Sequence, residues 1–133
     1  DATGSSGETE AHNFTVTTDV PNGYIVSVLG DTLSSGGNTI SAMGGSNAGS
    51  STGTEQFGVR LTATGGTGAV TAPYAASGFA YDATSATQSQ VASATTGDNV
   101  MTTYSVRYLG NIGATTEAGS YTTQLNYVIT ATY

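Results

Sequence analysis

A chain of 133 residues is long enough for one domain with a two-layer core, and this one holds nine acidic residues, two arginines, no lysine and no cysteine, for a formal net charge of −7. That balance excludes the clustered cations which nucleic acid or an anionic membrane requires of a partner. The missing cysteine and lysine exclude disulfides, thiolate metal sites and Lys–Asn isopeptide crosslinks.

Leu, Ile, Val and Phe number 22, below the usual share for a well-filled core, so the core is expected to be thin. Eight tyrosines and recurring alternation argue against disorder. The chain opens on Asp1 and contains no apolar run long enough to span a bilayer or serve as a signal peptide. It therefore reads as an exported protein with its signal peptide removed and no direct membrane insertion. Forty Ser and Thr with 19 Gly give a hydroxyl-covered surface, which points to an extracellular or cell-surface setting.

Residues 1–12 form a polar leader with nothing to anchor a core. In residues 13–20, Phe14, Val16, Thr18 and Val20 share one parity, the period-two mark of a strand, and Pro21-Asn22-Gly23 supplies a turn. Tyr24 to Leu29 is a denser run that fits a central strand. From Leu33 to Gly53 the chain thins into Ser, Gly and Asn, with one short edge strand expected over Thr39 to Met43. Glu55 to Thr64 restores alternation, with Phe57, Val59, Leu61 and Ala63 inward. Weaker strands are expected at Ala69–Ala72, Gly78–Tyr81 and Ser89–Ala94, and a firm one at Met101–Leu109. The last stretch, Gly119 to Tyr133, carries the cleanest signal: Tyr121, Thr123, Leu125, Tyr127, Ile129, Ala131 and Tyr133 on one face, and mostly Thr, Gln and Asn on the other. Seven to nine short strands and no helix predict an antiparallel β-sandwich of immunoglobulin-like or jelly-roll type, with the sandwich domain over residues 21–133.

The sequence is poor in chemistry. His12 is the single histidine, and it has no partner for a triad or a metal site. Glu55 and Glu117 are the only candidates for a glycosidase carboxylate pair, and each stands beside a strand start where solvated charge belongs. A surface calcium site at Asp31 or Asp98 would lack clustered ligands. The expectation is a protein without catalysis, cofactor or metal. Asn13-Phe14-Thr15 is an acceptor sequon for Asn-linked glycan.

The ending Ala118-Gly119-Ser120-Tyr121, followed by alternation to Tyr133, resembles the C-terminal strand of chaperone–usher pilins, above all their archaic, spore-coat-U-like branch. It is also similar to the last strand of WxL-type surface domains. The Cys pair that many usher pilins carry is absent. The resemblance implies donor-strand complementation, in which an incomplete sandwich is finished by a strand lent from a neighbouring subunit. Carried onto this chain, the donor is residues 13–20 with Phe14, Val16, Thr18 and Val20 as plugs. Tyr121, Leu125, Tyr127, Ile129 and Tyr133 of the final strand form part of the acceptor wall. Burying one Phe and two Val contributes on the order of 5 kcal/mol before entropy. The bland alternative makes residues 13–20 the first strand of the same sandwich.

The leading expectation is a structural subunit of a pilus or other extracellular filament, a homopolymer of identical subunits. The alternatives are a stand-alone surface adhesin that recognises a glycan or host-surface receptor through loops 30–54 and 110–118, and a viral jelly-roll coat protein.

Overall fold

The computed structural model describes residues 10–75 and 77–133; the leader expected over residues 1–12 lies, as far as residue 9, outside the described residues. Among these there is no helix. Eleven strands follow in order: β1 (His12–Val16), β2 (Tyr24–Leu29), β3 (Ser34–Ser35), β4 (Asn38–Thr39), β5 (Gly44–Ala48), β6 (Gln56–Thr64), β7 (Ala69–Val70), β8 (Phe79–Tyr81), β9 (Ser89–Ala94), β10 (Thr102–Asn111) and β11 (Asn126–Ala131). A five-stranded antiparallel sheet has the order β1-β10-β6-β8-β5, and a four-stranded one the order β11-β2-β9-β7. They enclose the core of a β-sandwich, and β3-β4 is a small separate hairpin.

The alternation seen in the sequence determines which side chains meet between the sheets. Val59 and Leu61 of β6 and Tyr104 and Val106 of β10 face Val26 and Val28 of β2 and Val91 of β9, all with almost no exposure. Tyrosine supplies the bulk that the aliphatic residues lack: Tyr24, Tyr74, Tyr81 and Tyr104 are all buried. A buried phenol must keep a hydrogen-bond partner for its hydroxyl, and each has one. Tyr24 and Tyr104 bond to each other across the sandwich at 2.9 Å, Tyr81 donates to the carbonyl of Gly30 at 2.6 Å, and the Tyr74 hydroxyl donates to Asp82 and is hydrogen-bonded to the Ser89 hydroxyl, each at 2.8 Å.

The strands define two poles. At the first, the segments around residues 17–23, 65–68 and 95–101 are tied together by Asn99 N donating to Thr18 O (3.1 Å) and Thr67 Oγ1 to Thr96 O (2.9 Å), and Thr132 N reaches Gly23 O at 2.9 Å. At the second, Gly30 N donates to Thr84 O at 3.1 Å and Asn111 Nδ2 to Ser50 Oγ at 2.9 Å. Charge is distributed unevenly. The strands of the four-stranded sheet contain no Asp, Glu, Lys or Arg, whereas Arg60 and Arg107, the only two arginines, stand opposite each other on β6 and β10.

Three segments depart most from the sequence reading. The first strand begins at His12 and ends at Val16. Beyond it Val20 N turns back onto Thr18 Oγ1 at 3.1 Å and the chain crosses to the other sheet, so Thr18 and Val20 leave the ladder. The short edge strand expected over Thr39–Met43 is instead β4 and the separate strand β5, whose Gly-Gly-Ser-Asn-Ala has no apolar pattern to announce it and is held by backbone pairing to β8. The last strand is regular only over Asn126–Ala131. Its lead-in is tied by the Ser34–Thr122 bridge instead of a continuous ladder.

Candidate functional site at the seam of the sandwich

A two-sheet sandwich has long seams where edge strands face each other. On one of them, β1 at the edge of the five-stranded sheet lies against β11 at the edge of the other. β1 is antiparallel to β10, with His12 opposite Val106, Phe14 opposite Tyr104 and Val16 opposite Thr102. Because side chains alternate along a strand, His12, Phe14 and Val16 form its inward stripe, while Asn13 and Thr15 face out. Among the described residues one ladder holds β1, and no strand lies beside its other backbone edge.

Phe14 is the centre of the seam. Its ring stacks on Tyr104 of β10 with centroids 5.2 Å apart and meets Tyr127 of β11 at 5.4 Å, so one side chain joins both sheets. Val16 is buried at 8% exposure. Above Phe14, His12 Nε2 and the Tyr108 hydroxyl are hydrogen-bonded at 2.8 Å, and the Tyr108 and Tyr127 hydroxyls at 3.0 Å, giving a polar chain from β1 through β10 to β11. Burial pushes the Tyr127 phenol far above its ordinary range and raises that of Tyr108, so both stay neutral hydrogen-bonding groups at any ordinary pH. At the start of the strand Asn13 Nδ2 donates to Glu10 Oε1 at 3.1 Å. Hydrogen bonds from Ser105 and Asn13 hold the Glu10 carboxyl below its usual range.

β1 covers only part of β10. Among the described residues its ladder stops at Val106, while β10 runs on to Asn111 with β6 on one side alone. There the seam opens into an apolar cleft of about 530 Å³, walled by Leu33, Tyr108, Leu109, Leu125 and Tyr127 with Phe57 among its lining. Extending β1 backwards in register would set Glu10 opposite Tyr108, on the inward stripe, where a carboxylate would lose much of its hydration against a mainly apolar lining. Glu10 is instead exposed.

The expected site residues divide accordingly. Phe14 and Val16 are inward in the seam; Thr18 and Val20 are half-buried in the crossing beyond the strand. Of the final-strand residues, Tyr121, Leu125 and Tyr127 pack against the core, Ile129 stands opposite Val26 but is 49% exposed, and Tyr133 is 94% exposed. Asn13 is exposed on the outer side of β1. Glu55 accepts from Thr116 Oγ1 at 2.6 Å, whereas the main chain of Glu117 accepts from the Tyr121 hydroxyl at 2.9 Å. Asp31 takes the Ser85 N–H of a distant loop at 2.8 Å, and Asp98 takes the Val100 N–H at 3.0 Å within its own turn. His12, Tyr104 and Tyr108 complete the seam but were not named as part of it from the sequence. The shared parity of His12 with Phe14 and Val16 was the available signal.

No protein-family model, curated protein or solved structure matches this chain.

Proposed function

We propose that the chain is a structural subunit of an extracellular filament whose copies complete one another's sandwich by lending β1 to a neighbour. The observation that carries this reading is the placement of β1. It is a short strand held by one ladder among the described residues, and its plugs Phe14 and Val16 fill a seam walled by Tyr104, Val106 and Tyr127. Such a segment pairs with its own β10 in a lone chain, and the identical segment of a second copy fits the same ladder with the same plugs. Lifting it away would expose Tyr104 and Val106 to water, so the seam favours being filled by whichever copy supplies the strand. The hydroxyl-rich, charge-poor composition and the likeness of the last strand to donor-strand pilins point the same way.

The test is negative-stain electron microscopy of the concentrated chain beside a variant lacking residues 1–16. Filaments from the former, and from the latter monomers that take up a synthetic peptide of residues 10–18, are the expected results. Dispersed monomers from both overturn the reading.

A second reading, a stand-alone surface module, draws on the apolar cleft beside Tyr108 and Tyr127, where tyrosine faces and the Thr122 and Thr123 segment would meet a glycan. Binding of a glycan by the monomer, lost in Tyr108→Ala, would favour it.

A further inference from the structure

The direction of β1 governs how two copies can share it. β1 runs from His12 to Val16 and leaves its sheet beside Thr102, at the first pole. β2 begins at that same pole with Tyr24, whose hydroxyl meets that of Tyr104. Residues 17–23 alone join the two strands, and even fully extended they reach at most about 25 Å. A β1 lodged in another copy's seam therefore ends at that copy's first pole, while its own sandwich hangs from it by its own first pole. Exchange in this register brings like poles together.

The donor's emptied seam then lies within linker reach of the acceptor's own β1. A tethered strand presents itself at an effective concentration on the mM scale, above that of a third copy arriving from solution. Resting on the strand-lending reading above, we infer that the exchange is reciprocal: two copies related by a two-fold axis complete each other through their first poles, and the filament is built from such pairs instead of a one-way chain of single subunits.

The surface of the first pole supports this independently. Tyr133, Met101 and Val100 are the most exposed large apolar side chains among the described residues, at 94%, 54% and 53%. Val100 and Met101 lead into β10 at Thr102, and Tyr133 follows Thr132, whose N–H is bonded to Gly23. All three therefore sit at the pole that pairing would cover, where a second copy supplies matching apolar surface. Asp19 and Asp98 lie at the same pole, so the two copies also bring like charges together, and salt should tighten the pair by screening them.

The natural chain has no cysteine, so introduced thiols report strand pairing without background. Thr15 and Thr103 are register partners facing outward on β1 and β10; Asn13 and Ser105 provide a second such pair. The doubly substituted chain, Thr15→Cys with Thr103→Cys, is refolded at high concentration, oxidised and run on non-reducing denaturing gels. The expected product is a two-chain species with every thiol consumed and nothing larger. A ladder of three or more chains overturns reciprocity while leaving strand exchange in place. Crosslinks confined to single chains at every concentration overturn exchange itself, and with it the filament reading. Met101→Asp, at an exposed position away from the seam, tests the pole contact. Weaker pairing by about tenfold or more in sedimentation, with an unchanged circular dichroism spectrum, is expected, and unchanged pairing overturns the contact.

Discussion

The hydroxyls of Tyr24 on β2 and Tyr104 on β10 meet 2.9 Å apart, buried between the sheets beneath Gly68, so a hydrogen bond between side chains joins one sheet to the other. Removing one partner strands the other in a dry site, which costs about 1–3 kcal/mol. Tyr24→Phe and Tyr104→Phe are each expected to lose that much in urea unfolding. The double substitution should lose less than the sum of the two, because no hydroxyl is then left without a partner.

Phe14→Ala removes the one ring that touches both Tyr104 and Tyr127. A loss of about 3 kcal/mol, the low end for a buried aromatic, should come with faster amide exchange along His12–Val16 than anywhere in β6. Equal protection of the two strands in the variant would show that Phe14 is not what holds β1.

Alkali should unfold the protein. Burial pushes the Tyr74 phenol up to about 12 and moves Tyr81, Tyr104 and Tyr127 in the same direction, while phenols of the unfolded chain ionise near about 10. Below that pH both states hold their protons and the stability is fully present. Above it the unfolded state binds fewer protons than the folded one, so stability falls as pH rises. Melting temperature measured between about pH 8 and 12 should be flat at first and then decline, with the phenolate absorbance of the buried tyrosines rising together with unfolding instead of ahead of it.

Two glycines with positive φ should respond differently to alanine. Gly36 has φ +60 and open space around it, so Gly36→Ala carries only the left-handed penalty of about 1–2 kcal/mol. Gly23 has φ +72, and a methyl group there would overlap the carbonyl of Ala94. Gly23→Ala is expected to cost about 3 kcal/mol or more and to loosen the first pole, as read by urea unfolding of the two variants side by side.

How legible this was depended on whether a segment's side chains had to choose a face. Tyr24–Leu29 and Ser89–Ala94 were read with the boundaries that the structure gives them, and Phe57, Val59 and Leu61 lie inward as their parity requires. In each case one face meets the core and a slip by one residue would turn every apolar group outward. Gly44–Ala48 had no such constraint and went unread. Tyr74 was missed for the opposite reason: it fills the core from a turn between strands, held by Asp82 and Ser89, and no period marks a residue outside a strand. At the seam, the inward parity of Phe14 and Val16 was visible. Their partners across β10 were not, because antiparallel register between distant segments is not written in either one alone. The alternation from Tyr121 to Tyr133 overstated the last strand, since its early residues are held by side-chain and bridge contacts and Ile129 lies on a face that is only half covered.

The four-stranded sheet has no ionic group in β2, β7, β9 or β11, so its strands add no charge to that flank of the molecule. Its outer surface, where Ile25 and Val128 are partly exposed, is neutral along the strands and offers an approaching copy little repulsion there. On the filament reading proposed above, fibres would for that reason lie side by side along these flanks and thicken into bundles, leaving the arginine-bearing flanks toward the surrounding water.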